Sequence, residues 1–134
     1  MTITIDTNVL VRLITADDLA QTELAQAEVR AADRVVVTLV ALCETVWVLR
    51  SRFGFGRQEI AAAIEDVLDI PTLIVDRPVV EAALRHLRQG GDFTDSVIAG
   101  EGRGMGGAAF VSFDKKAVRL LNASGLVSRF PEIS

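Results

Sequence analysis

Short apolar runs separated by amphipathic stretches set the order of elements along this chain. Residues 2–5 alternate β-forming side chains and predict a first strand. Asp6-Thr7-Asn8 follows as a cap for a helix from 9 to about 16. Leu19, Glu23, Ala27 and Arg30 recur on successive turns of a second helix. Arg34-Val35-Val36-Val37 reads as a short buried strand. Residues 39–52 form a long helix, apolar on nearly every side, which Gly54 and Gly56 break. Ile60, Ile64 and Leu68 make the stripe of a helix over 57–68, and Pro71 ends it. Residues 72–75 predict a third strand. Pro78 opens a helix that stops at Gly90-Gly91. The segment from 95 to about 103 is a weaker helix, because each internal glycine costs about 1 kcal/mol. Residues 108–112 predict a fourth strand, 114–122 the last helix and 126–130 a short edge strand. Strands alternating with helices imply an α/β fold, with a central, mainly parallel sheet of four to five strands flanked by helices. No linker, repeat or low-complexity tract interrupts residues 1–134, so a single domain is expected.

Composition narrows the chemistry. The 134 residues are 50% hydrophobic and 24% charged, the profile of one globular domain and not of a disordered chain. Fourteen basic against eighteen acidic residues give a net charge of −4. A general basic coat for nucleic acid is therefore absent, although a local patch is not excluded. Cys43 is the sole cysteine, so no internal disulfide forms. His86 is the sole histidine, which excludes a Cys/His zinc site and paired-histidine acid–base chemistry. The N-terminus lacks the pattern of a signal peptide. The longest apolar run, broken at Glu44, is about half of what a bilayer span needs. These features lead to the expectation of a soluble, cytoplasmic protein with no membrane partner.

Four carboxylates occupy suggestive places. Asp6 follows the first strand and Asp114 the fourth, and parallel α/β sheets build ligand sites beyond the carboxyl ends of their strands. Asp95 begins a helix after the Gly90-Gly91 loop, and Glu44 sits among Ala41, Leu42, Cys43, Val46, Trp47 and Val48. Asp6, Asp92 and Asp114 are each explained alone as a helix cap, and Asp92 and Asp95 have capping-box spacing, with Asp95 in the Glu position. Glu44 is harder to explain in an apolar helix: a buried carboxylate needs an arginine partner or a metal. Taken together, the four imply one acidic pocket whose repulsion a hard divalent cation such as Mg²⁺ or Mn²⁺ would relieve. Without these four the chain would carry equal numbers of acidic and basic residues. A cation there would convert a region that repels phosphate into one that attracts it.

The successive motifs Ile5-Asp6-Thr7-Asn8-Val9-Leu10, Ala41-Leu42-Cys43-Glu44-Thr45, Asp92-Phe93-Thr94-Asp95 and Ser112-Phe113-Asp114-Lys115 resemble the PIN domain, and more closely the VapC toxins of type II toxin–antitoxin pairs. The resemblance covers nearly the whole chain, in the family's order and spacing. It implies that Asp6, Glu44, Asp95 and Asp114 are the acidic quartet of a metal-dependent endoribonuclease. Asp6 and Asp95 match direct metal ligands, and Glu44 and Asp114 act directly or through water. Thr7, Asn8 and Ser112 match polar positions around the pocket. The glycine-rich Gly100–Gly104 stretch departs from the family's plainer helix. The resemblance further implies an RNA substrate, a homodimer and inhibition by a cognate antitoxin protein.

Other signals are less specific. Arg50, Arg52, Phe53, Phe55 and Arg57 form a basic, aromatic corner that suits RNA or the antitoxin, or simply joins two helices. His86, beside Arg85 and Arg88, is expected on a solvated helix face. Trp47 and Cys43 are expected in the core or a dimer interface. Gly102–Gly107 fits GxGxxG spacing but precedes a strand, so it fails as a dinucleotide loop. The expected reaction is in-line attack of a metal-activated water on the phosphodiester. Two rivals stand beside it. One is a PIN-like module that only binds partners. The other is a phosphoacceptor receiver domain, disfavoured because Thr7-Asn8 stand where a second acid would follow Asp6.

Overall fold

The fold was read from a computed structural model that describes residues 1–132. Its elements run β1 (Thr2–Thr4), α1 (Thr7–Thr15), α2 (Leu19–Ala31), β2 (Arg34–Val36), α3 (Leu39–Ser51), α4 (Arg57–Leu68), β3 (Leu73–Ile74), α5 (Arg77–Arg88), α6 (Phe93–Gly104), β4 (Phe110–Val111), α7 (Lys115–Ala123) and β5 (Ser128–Arg129). The chain is α/β, as its alternating pattern predicts. It divides into two compact units, the first ending at Asp76 and the second beginning at Arg77.

In the first unit β2 lies between β1 and β3, and both pairings are parallel. Thr2 faces Arg34, Ile3 faces Val35, and Val35 in turn faces Leu73. Such parallel pairing needs crossover connections, which the helices between the strands supply. Val35 is fully buried, and its neighbours Ile5 and Val37 nearly so. Leu10, Val11, Leu42, Val46, Leu49, Ile60 and Ile64 complete this core from α1, α3 and α4.

In the second unit β4 and β5 pair in parallel, with Phe110 opposite Ser128. Its core includes Val80, Leu84 and Leu87 of α5, Phe93 and Val97 of α6, and Val118 and Leu121 of α7. Asn122 brackets β5, with its side chain donating to the Ser128 carbonyl and accepting from the Ser128 amide, each at 2.8 Å. The five strands are those expected, but their ladders join them as three and two, not as one continuous sheet. Strands of two or three residues carry few ladder bonds. The sequence pattern counts such strands without specifying which edges meet.

Helix α6 continues through Gly100 and Gly102 despite the propensity cost. Gly100 packs on Val79 of α5, so tertiary contact outweighs intrinsic preference. The helix then closes on Gly106, whose φ of +98° suits glycine. The Gly106 amide donates to the Arg103 carbonyl and the Gly107 amide to the Gly102 carbonyl, the paired bonds of a Schellman stop.

Two expectations are corrected here. His86 does not face solvent: it is 2% exposed, on the α5 face shared with Val80, Ala83, Leu84 and Leu87. Its arginine neighbours in sequence project elsewhere because adjacent helical positions point about a third of a turn apart. Trp47 is 56% exposed, which excludes the core half of its expectation; an interface between copies stays an expectation. Among the described residues, no helix is long and apolar enough to cross a membrane.

Candidate functional site

Each unit holds two of the four singled-out acids. Asp6 ends the turn after β1 and caps α1, its Oδ1 accepting from the Val9 amide at 3.0 Å. That bond uses one oxygen. Among the described residues the other accepts no hydrogen bond, so capping does not exhaust the group. Thr7 and Asn8 form the first turn of α1. From α3, Glu44 reaches the same place, and the Thr7 hydroxyl donates to Glu44 Oε2 at 3.0 Å. A cavity of about 410 Å³ is lined by Asp6, Thr7, Asn8, Glu44, Trp47, Val48 and Arg52.

Glu44 is exposed, contrary to the expectation of a buried carboxylate seeking an arginine. The buried face of α3 is Ala41, Leu42, Thr45, Val46 and Leu49. Its opposite face, at spacings of four, three and four, is Val40, Glu44, Trp47 and Ser51, all exposed. Apolar Val40 and Trp47 on the outer face disguise the helix as buried on every side. No large desolvation cost therefore attaches to Glu44.

In the second unit Asp92 caps α6, as its spacing from Asp95 predicts, its Oδ2 accepting from the Asp95 amide at 3.0 Å. The Asp95 carboxylate makes no hydrogen bond among the described residues. Asp114 caps α7 by accepting from the Ala117 amide at 3.0 Å, and its own amide donates to Ser112 Oγ at 3.0 Å. Ser112 thus shapes the turn that presents Asp114. Burial raises the Asp95 pKa above the ordinary aspartate value of 3.8, and the charges of Asp92 and Asp114 raise it further. The second unit therefore gathers negative charge around Asp95.

Among the described residues, no group of three or more His, Cys, Asp or Glu side chains is arranged to hold a metal ion. What the structure presents is an acidic pair in each unit, one lining a cavity and the other coupled through charge. The donors are carboxylate oxygens with hydroxyl and amide neighbours, and neither cysteine nor histidine is among them. That set suits a hard cation such as Mg²⁺ and disfavours softer metals.

The basic corner is only partly a free surface. Phe53 and Phe55 are half-buried, with ring centroids 6.4 Å apart and planes at 73°, so they pack edge to face on each other. Phe55 also lines a groove of about 720 Å³ with Leu13, Ile14, Val29, Val67 and Ile70. Of the three arginines, Arg52 lines the cavity of Asp6 and Glu44. The sequence did not identify Trp47 as part of that cavity. Its signal was the spacing of three from Glu44, which puts the two on one helical face.

Residues 3–121 match the PIN-domain family, and the chain belongs to that family. PIN domains are generally metal-dependent nucleases that typically bind a divalent cation such as Mg²⁺, so the fold is of nuclease type. A comparison with curated proteins gives no match.

Proposed function

We propose that this protein is a Mg²⁺- or Mn²⁺-dependent endoribonuclease, the toxin of a toxin–antitoxin pair, in which Asp6, Glu44, Asp95 and Asp114 carry the chemistry. The observation that carries the reading is the lining of one open cavity by Asp6 and Glu44, with the Thr7 hydroxyl holding Glu44 in place. A resident divalent cation would supply charge neutralisation and an activated water, and the family resemblance names Asp6 and Asp95 as its ligands. The remaining steps belong to side chains. Thr7 engages Glu44 Oε2 and leaves Oε1 without a hydrogen bond among the described residues, ready to orient the attacking water and accept its proton. Asn8 adds an amide able to bind phosphate oxygen. Ser112 fixes the turn that carries Asp114. Water attack does not need the 2′-hydroxyl, so the products carry a 5′-phosphate and a 3′-hydroxyl. A cognate antitoxin, a homodimeric state and a cytoplasmic location go with this reading through the family resemblance.

The test is cleavage of single-stranded RNA by the purified protein with Mg²⁺ or Mn²⁺, with EDTA, and in Asp6→Asn and Asp95→Asn. We expect cleavage only with the cation, reduced at least a hundredfold in either variant, as for loss of one charge-stabilising group. Undiminished cleavage in EDTA refutes the metal-dependent reading. Full activity in Asp6→Asn removes that residue from the site.

A further inference from the structure

The acids of the first unit share their cavity with two residues that acid chemistry does not need. Trp47 stands three positions beyond Glu44 on α3, and Arg52 follows the end of that helix. Both line the cavity of about 410 Å³ that Asp6, Thr7, Asn8 and Glu44 also line. Trp47 is 56% exposed, so most of an indole that would gain by burial is left in water. Arg52 is exposed and bears a planar guanidinium, the geometry that meets phosphate oxygens in pairs.

We propose that Trp47 and Arg52 form a nucleotide subsite: the indole stacks an unpaired base beside the scissile phosphate, and Arg52 grips a neighbouring phosphate. The position of the scissile bond rests on the ribonuclease reading above; the subsite itself rests on the cavity. Charge complementarity favours a nucleotide over an apolar partner helix. Phosphates flanking the cleaved one meet Asp6 and Glu44 in a chain of net charge −4, and a fixed cation at the cavity edge offsets that repulsion. The face around Trp47 also carries Glu44 at its centre, which a nonpolar helix would have to desolvate. A base offers a flat π surface to the indole only when unpaired, so the subsite selects single-stranded over duplex RNA. Trp47 and Arg52 act here as substrate-positioning residues.

Trp47 is the only tryptophan, so its emission reports on its own occupancy. A pool of random-sequence single-stranded RNA is titrated into the whole protein in EDTA, where nothing is cleaved. Tryptophan emission and the anisotropy of labelled RNA are followed together, with duplex RNA of the same length as the comparison. We expect saturable quenching by single strands and little by duplex. Trp47→Ala should weaken binding about 5- to 150-fold, the range of one base–aromatic stack, and Trp47→Phe should recover part of it. Arg52→Ala should reduce the log–log salt slope by about 0.7, the share of one phosphate on a single strand. With the cation added, Trp47→Ala should raise KM more than it lowers kcat. Binding without any change in emission overturns the proposal. So does Trp47→Ala that binds and cleaves like wild type, or that only alters the oligomeric state. Quenching without cleavage under any cation refutes the ribonuclease reading but keeps the subsite. Cleavage by Trp47→Ala with both KM and kcat unchanged does the reverse.

Discussion

Gly91→Ala tests how tightly the loop before Asp92 is tied to the interior. A Cβ built on Gly91 lies 2.1 Å from His86 Nε2, 2.3 Å from Cδ2 and 2.4 Å from Cε1. Ordinary carbon contacts are ~3.5–4.0 Å, so ring or backbone must move by more than about 1 Å. Neither moves easily. The ring is 2% exposed among core side chains, and the Gly91 amide is bonded to the His86 carbonyl at 2.8 Å. Overpacking in a close-packed core costs about 1–3 kcal/mol, occasionally more, and an overlap this deep belongs at the upper end, ~3 kcal/mol. For a chain of this length that corresponds to a fall in Tm of roughly 10 °C. Urea unfolding should show a lower midpoint with an unchanged slope, the mark of a stability change alone. His86→Ala removes the obstacle, so in that background the cost of Gly91→Ala should drop below ~0.5 kcal/mol, a coupling typical of residues in contact. A Gly91→Ala protein that unfolds at the wild-type midpoint refutes the reasoning. Equal costs in both backgrounds refute the assignment to His86.

Two further outcomes follow from the acidic pairs. The folded protein holds the Asp95 proton more tightly than the unfolded chain. Asp95 therefore contributes stability that is full below pH 3.8 and is lost as pH rises through its raised folded value. In EDTA at pH 7, Asp95→Asn should thus melt above wild type, with the gap closing toward pH 3, and Mg²⁺ should raise the wild-type Tm more than the variant's. A variant that melts lower at pH 7 contradicts the charge argument. Thr7→Val keeps the shape and deletes the donor to Glu44 Oε2. It should change stability by less than ~1 kcal/mol while lowering cleavage about tenfold, with Thr7→Ser restoring it. Cleavage at the wild-type rate in Thr7→Val would show that Glu44 needs no such support.

Helix order, caps and parallel strands were legible in the sequence because they rest on local chemistry. Asp6, Asp92 and Asp114, read as caps from the sequence, each cap the helix they precede. Capping depends on the next three residues and on nothing distant. The four ordered acidic motifs were likewise visible, and they lie within the matched PIN region. Three features needed the tertiary structure. The orientation of α3 decided that Glu44 and Trp47 face solvent, since an apolar helix does not declare which side its neighbours cover. The packing of α5 decided that His86 is buried against Gly91, because its burial depends on residues outside its own helix. Chain topology put Thr7 and Glu44, 37 positions apart, within one hydrogen bond, and brought Arg52 and Trp47 into the cavity of Asp6. Side-chain periodicity fixes what a residue does along its own helix or strand. Which acids, rings and cations meet depends on how those elements pack, and that is a property of the folded chain alone.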